Sequence, residues 1–211
     1  MIAPTKIESN KFAVLASDAQ IKRTVQALEA NNIHVVVAED GADAKKTLFE
    51  LIPANAEVFT SSSQTLNTLG VVEEIDKSGS YNSVREKLSM MDRKTQGREM
   101  DKLGATPEYM IGSVQAVTEA GEVISASKTG SQMSGYVAAA AHVIWVVGTQ
   151  KIVPTLDAGM ERVEDYVLPL ENARALKVYG VPSSINKLLI IKKEFMAGRT
   201  TMILVKEKLG F

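Results

Sequence analysis

The run "HVIWVVG", His142 to Gly148, constrains the fold more than any other stretch of the chain. It is almost continuously apolar and rich in β-branched and aromatic residues, so it reads as a strand. A strand with one wet face alternates apolar and polar residues. A continuous apolar strand is buried on both faces, as in parallel sheets covered by helices. The flanking sequence supplies such helices. Ser17 and Gln20 stand at capping-box spacing, and Ile21, Val25 and Leu28 recur at helical intervals until Asn31-Asn32. "IHVVVAED" follows as a short buried strand, "GADAKKTLFELI" as a helix stopped by Pro53, and "AEVFTSSSQT" as a strand ending in hydroxyls. Strand, helix and strand joined by short connections predict a parallel pair with a right-handed crossover.

Further along, "QTLNTLGVVEEIDKSG" reads as one or two short helices. Residues 84–102 interleave Arg, Lys, Glu and Asp, and predict a solvated helical insertion, broken near Gly97, that would suit a lid or a dimer arm. In "GATPEYMIGSVQAVTEAGEVISAS" two apolar stretches flank "EAG", the pattern of a β-hairpin. "TLDAGMERVEDYVL" puts Leu156, Met160, Val163 and Val167 on one helical face, and "LENARALKVYG" reads as another helix. "INKLLIIKKE" fits helix or strand, and "RTTMILVKEKLGF" ends in a strand. This alternation predicts an α/β domain around a mostly parallel sheet with some antiparallel edge. The 211 residues suit a single domain, residues 1–31 forming an N-terminal helical segment.

Composition removes several classes of function. A net charge of −1 gives no global attraction to nucleic acid or an anionic membrane. The absence of cysteine excludes a disulfide framework, a thiol nucleophile and any iron–sulfur cluster or zinc held by thiolates. "MIAPTKIESNKF" has no continuous apolar core of a signal peptide, and the longest mostly apolar run, Tyr136 to Val147, falls short of the roughly 20 residues a span requires. A cytoplasmic protein is expected. No G-x-G-x-x-G, Walker A or G-x-S-x-G motif is present. His34 and His142 each stand at a strand end, and no His, Asp and Glu spacing marks a metal site.

Three polar loops carry what chemistry the residues offer. Thr60, Ser61, Ser62 and Ser63 lie between a strand and a helix, where hydroxyls and free N–H groups suit an anion. The same serines also serve simply to cap that helix. Glu119 in "TEAG" is a candidate base or nucleophile at a strand end, or a solvated turn residue beside Gly121. In "SASKTGSQ", Ser127, Thr129, Ser131 and Gln132 offer donors, Gly130 lets a ligand approach, and Lys128 adds charge. The alternative is a plain loop before a helix packed by alanines. Gly112 and Ser113, and Lys151 as a second balancing cation, complete the candidate ligand-binding set.

The motifs "GSVQAVTEAGEVISASKTGSQ", "HVIWVVGTQKIV", "RVEDYVLPLENAR" and "GRTTMILVKEKLGF", in this order, resemble the LUD family. This is the lactate-utilisation domain family that includes lactate utilisation protein C, and the resemblance covers nearly the whole chain. It implies a Rossmann-like three-layer α/β sandwich, similar to the sugar-phosphate isomerase and CoA-transferase group. It implies a role in lactate or related organic-acid metabolism, with a small carboxylate, phosphate or CoA-type anion bound over the strand ends. Partners would be lactate-oxidation subunits, and a homo-oligomer is compatible with the family. No intrinsic cofactor is expected, because the chain has no thiolate for a cluster; redox chemistry would need partner subunits. A non-catalytic accessory or regulatory subunit is the alternative. By analogy with the Glu-x-Gly-like turn of class I CoA transferases, the resemblance also makes Glu119 a candidate acyl acceptor.

Overall fold

The computed structural model describes residues 11–211. Residues 1–10, and with them the first part of the N-terminal helical segment expected over residues 1–31, lie outside the described residues. The chain runs through α1 (Asp18–Ala30), β1 (Ile33–Ala38), α2 (Gly41–Glu50), β2 (Glu57–Thr60), α3 (Gln64–Thr68), α4 (Val71–Lys77), β3 (Asn82–Ser83), α5 (Val84–Ser89) and α6 (Arg93–Ala105). It continues through β4 (Tyr109–Gly112), β5 (Ala116–Thr118), β6 (Val123–Ser127), a π-helical turn Gly135–Ala139, β7 (His142–Gly148) and β8 (Ile152–Val153). A long rod follows, made of α7 (Leu156–Glu161), a π-helical stretch Arg162–Val167 and α8 (Leu168–Tyr179). Strands β9 (Lys187–Ile191) and β10 (Thr200–Val205) complete the order.

Local sequence accounts for many of these boundaries. Ser17 caps α1 with a full capping box, its side chain and that of Gln20 exchanging bonds with each other's backbone. Asp40 and Ser63 cap α2 and α3, and Gly180 ends α8 in the left-handed conformation at φ 70°. Gln96 breaks the helical geometry of α6, one residue before Gly97.

Six strands form an all-parallel sheet in the order β1-β10-β7-β4-β2-β3. β1 and β2 are therefore parallel but not a neighbouring pair: β10, β7 and β4 lie between them. A single strand–helix–strand unit does not reveal which later strands will insert. A second sheet, β8-β5-β6-β9, is mixed. Its β5–β6 hairpin turns at Gly121, whose φ of 82° favours glycine, and β9 pairs antiparallel on the outer edge of β6. The antiparallel component is thus a separate small sheet rather than an edge of the large one.

The apolar run of β7 resolves into two alternating sets. Ile144 and Val146 face a core shared with Leu48, Val58, Leu66 and Ile203, under α2, α3 and α4. Val143, Trp145 and Val147 face the opposite core, with Leu28, Ile33, Tyr136 and Leu204. The period of two along a strand makes this division unavoidable. Each fully buried Leu, Ile or Val contributes about 1.5–3 kcal/mol of apolar transfer. A third cluster, including Ile124, Val153, Val163 and Tyr166, packs the small sheet against the long rod. No helix among the described residues is long and apolar enough to cross a membrane.

Candidate functional site

Three neighbouring strands, β2, β4 and β7, end side by side in one parallel sheet. Whatever follows their carboxyl ends is therefore gathered at one rim, the usual place for a ligand in an open α/β sheet. After β2 come Ser61, Ser62 and Ser63, then Thr65 in the first turn of α3. After β4 comes Ser113. After β7 comes a tight turn, Thr149–Lys151, buried along its whole length.

Lys151 is the centre of this rim. It is only 3% exposed. Its Nζ donates to Thr65 Oγ1 at 3.1 Å and to Ser113 Oγ at 3.0 Å. Thr65 passes its own proton to the Leu209 carbonyl at 3.2 Å, so its oxygen is free to accept from the lysine. No carboxylate forms an ion pair with Lys151 among the described residues. Burial, with a lesser push from the Arg162 charge, lowers its pKa from 10.5 to about 7. Arg162 is itself fully buried, and burial pulls it down to about 10. It donates to the carbonyls of Gln115 and Phe12, while its Nε finds no partner among the described residues. Two basic side chains are thus held under the rim with no carboxylate paired to either among the described residues.

Above the lysine opens a cavity of about 530 Å³. Its walls carry Ser61, Ser62, Ser63, Ser113, Lys128, Thr129, Ser131, Gln132 and Lys151, drawn from the four separate segments that follow β2, β4, β6 and β7. Arg85 and Arg174 also face it, and Glu171 is the one acidic side chain on its walls among the described residues. Arg174 is locked to Glu171 through two bonds of 2.7 and 2.6 Å, which hold the guanidinium firmly charged. Four basic side chains against one acidic give the cavity a positive potential. Val114, Val163, Val167 and Ile185 supply an apolar side.

The other candidate residues take supporting places. Thr60 is buried beneath the cavity and anchors Arg85, whose Nε meets Thr60 Oγ1 at 3.1 Å and whose Nη2 meets its carbonyl at 2.9 Å. Gly112 makes room for Tyr136: a Cβ there would stand 1.8 Å from the tyrosine oxygen and 2.6 Å from Ser61 Oγ. The Tyr136 hydroxyl donates to the Ser113 carbonyl at 3.2 Å, and burial raises its pKa to about 12. Gly130, at φ 83°, turns the loop so that its N–H donates to Ser127 Oγ at 2.9 Å, and it packs on Lys187. Lys128 reaches across to the Pro182 carbonyl at 2.7 Å, tying this loop to the segment after α8.

Glu119 stands apart. It is at the far end of β5 from Gln115 and is not on the cavity wall. Arg23 Nε binds it at 2.7 Å and Gln20 Nε2 at 3.1 Å, and these bonds hold its carboxyl below the ordinary range. Neither histidine reaches the cavity: His34 pairs with Glu29, and His142 stacks on Tyr109. No group of three or more His, Cys, Asp or Glu able to hold a metal occurs among the described residues.

Sequence reading did not single out Thr65 as the lysine's partner, nor Arg85, Arg162, Arg174 and Tyr136 as part of this region. Arg85, Arg162 and Arg174 look like polar positions of amphipathic helices, and Tyr136 like core. Their roles arise from what the folded sheets bring to them.

Comparison with known proteins gives three findings. The family model described as "LUD domain" matches residues 21–205. The structure is similar to the crystal structure of a DUF162-family protein from Deinococcus radiodurans, with a TM-score of 0.54 at 10% identity, over 91% of this chain and 99% of that one. No curated protein matches the sequence.

Proposed function

The chain belongs to the LUD-domain family, and from that premise we propose that it binds a small anionic metabolite, a carboxylate, a phosphate or a CoA-type ligand, in the cavity over β2, β4 and β7. The setting is lactate or related organic-acid metabolism in the cytoplasm. One observation carries the reading: Lys151 is buried at the cavity floor with hydroxyl partners and no carboxylate partner among the described residues. Burial without a counter-charge penalises the charged form of a lysine, and an anion supplied by a ligand offsets that penalty. Arg85, Arg174 and Lys128 on the walls add to the same field.

Thermal denaturation with lactate, pyruvate, inorganic phosphate and CoA tests this. A true ligand at about 100-fold excess over Kd stabilises the fold by about 2.7 kcal/mol. Lys151→Met should abolish the shift. No shift with any of the four would refute the reading.

A second reading has its own support. Helix α6 buries none of its residues, so Arg93–Ala105 presents a charged surface to solvent. It suits an arm that docks an oxidoreductase partner in an accessory role. Co-purification with such subunits, lost when α6 charges are reversed, would favour it. Acyl transfer through Glu119 draws no support from a carboxylate bound to Arg23 outside the cavity.

A further inference from the structure

We propose that Lys151 is an imine-forming residue: its neutral amine condenses with the carbonyl carbon of a small anion held in the cavity. The inference rests on the anion-binding reading above and goes further, since it names both the substrate class and the covalent step.

The hydrogen bonds around Nζ carry the argument. A neutral amine has two N–H groups and one lone pair. Two hydroxyl oxygens, Thr65 Oγ1 at 3.1 Å and Ser113 Oγ at 3.0 Å, accept the two N–H groups. Thr65 can accept from Nζ because its own proton has acceptors elsewhere, the Leu209 carbonyl at 3.2 Å and Ser113 Oγ at 3.4 Å. The lone pair is left unengaged. A protonated lysine would carry a third N–H for which no further protein partner occurs among the described residues. The Arg162 guanidinium beneath the site also opposes a second positive charge, in line with the lowered pKa. A desolvated lysine beside another cation is a recognised form of activated amine nucleophile.

The surroundings suit the partner. Arg85 and the serines after β2 offer donors to the anionic group, and Val114 and Val163 give the carbon skeleton an apolar wall. The step balances as a condensation. The Nζ lone pair attacks the carbonyl carbon, and the π pair moves to oxygen. That oxygen takes a proton from nitrogen, relayed by the Ser113 hydroxyl that already touches Nζ. The carbinolamine then loses its hydroxyl as water with a second proton, leaving a C=N bond to Lys151. No oxidant or reductant is needed.

The test is reductive trapping of the full chain. Pyruvate and cyanoborohydride are added near neutral pH, and adducts are located by peptide mass mapping. Lys151 should be labelled at least about tenfold faster than any exposed lysine, since its free-amine fraction is far larger. Excess lactate, which lacks the carbonyl, should suppress that labelling. Lys151→Arg should abolish it, and Ser113→Ala, which keeps the amine, should slow it. The wild-type map decides the matter even where a variant folds poorly. Stabilisation by lactate or pyruvate with Lys151 unlabelled would overturn the imine while leaving anion binding intact. Labelling spread evenly over surface lysines would overturn it too. Neither stabilisation nor labelling would remove both readings.

Discussion

Replacing Lys151 by methionine should make the protein more stable in mild acid and less stable in base. The unfolded chain holds the lysine proton up to pH 10.5, whereas the folded chain gives it up near 7. Between those values the unfolded state binds the extra proton, so stability rises with pH by up to about 1.4 kcal/mol per pH unit. The penalty of burying the charge is fully present below pH 7, and it disappears as pH passes 10.5. Over that window it amounts to about 5 kcal/mol. Methionine fills a similar volume without charge, but it orphans the Thr65 and Ser113 oxygens at about 1 kcal/mol each. The variant should therefore exceed the wild type by about 3 kcal/mol at pH 6, match it near about pH 9, and fall below it beyond. Urea unfolding across that range gives both curves, with the m-value as a check that the unfolded states are alike. Two curves separated by a constant would show that Lys151 titrates as an exposed lysine, and the argument from burial would fail.

Two further predictions concern the frame around the site. Gly112→Ala drives a methyl into the Tyr136 oxygen and should cost about 2 kcal/mol or more in a denaturation midpoint experiment; adding Tyr136→Phe should return part of that loss, because the nearest clash is with the hydroxyl. Glu119→Gln weakens a half-exposed ion pair with Arg23 and should cost less than about 1 kcal/mol, leaving ligand-induced stabilisation unchanged in the thermal assay.

Much of the framework was legible because local rules agreed with the global fold. The capping box at Ser17, the hairpin at Gly121 and the two-faced burial of β7 each follow from short-range pattern. The ambiguous "INKLLIIKKE" became strand β9 because β6 offered an open edge, which no local pattern announces. "TLDAGMERVEDYVL" and "LENARALKVYG" read as two helices, and in the structure they join as one rod. Pro169 sits in the first turn of α8, directly after the π-helical stretch, where a wider turn accommodates its missing N–H. At the site, serines after strands were visible as candidates. The burial of Lys151 was not, since a lysine in "TQKIV" is ordinarily expected at the surface. It is covered by residues remote in sequence, Thr65 and Ser113 standing 86 and 38 positions away.

The strand order has a consequence for how the chain is made. Among the described residues, β10 is synthesised after the other nine strands, yet it lies between β1, the earliest of them, and β7. On the ribosome, β1 has no partner in the large sheet until residues 200–205 emerge. Until then β1 and β7 each present an open edge, the feature that invites pairing with other nascent chains. This topology makes folding a late event governed by long-range closure, and it makes the interval before β10 docks the time at which a chaperone has most to protect.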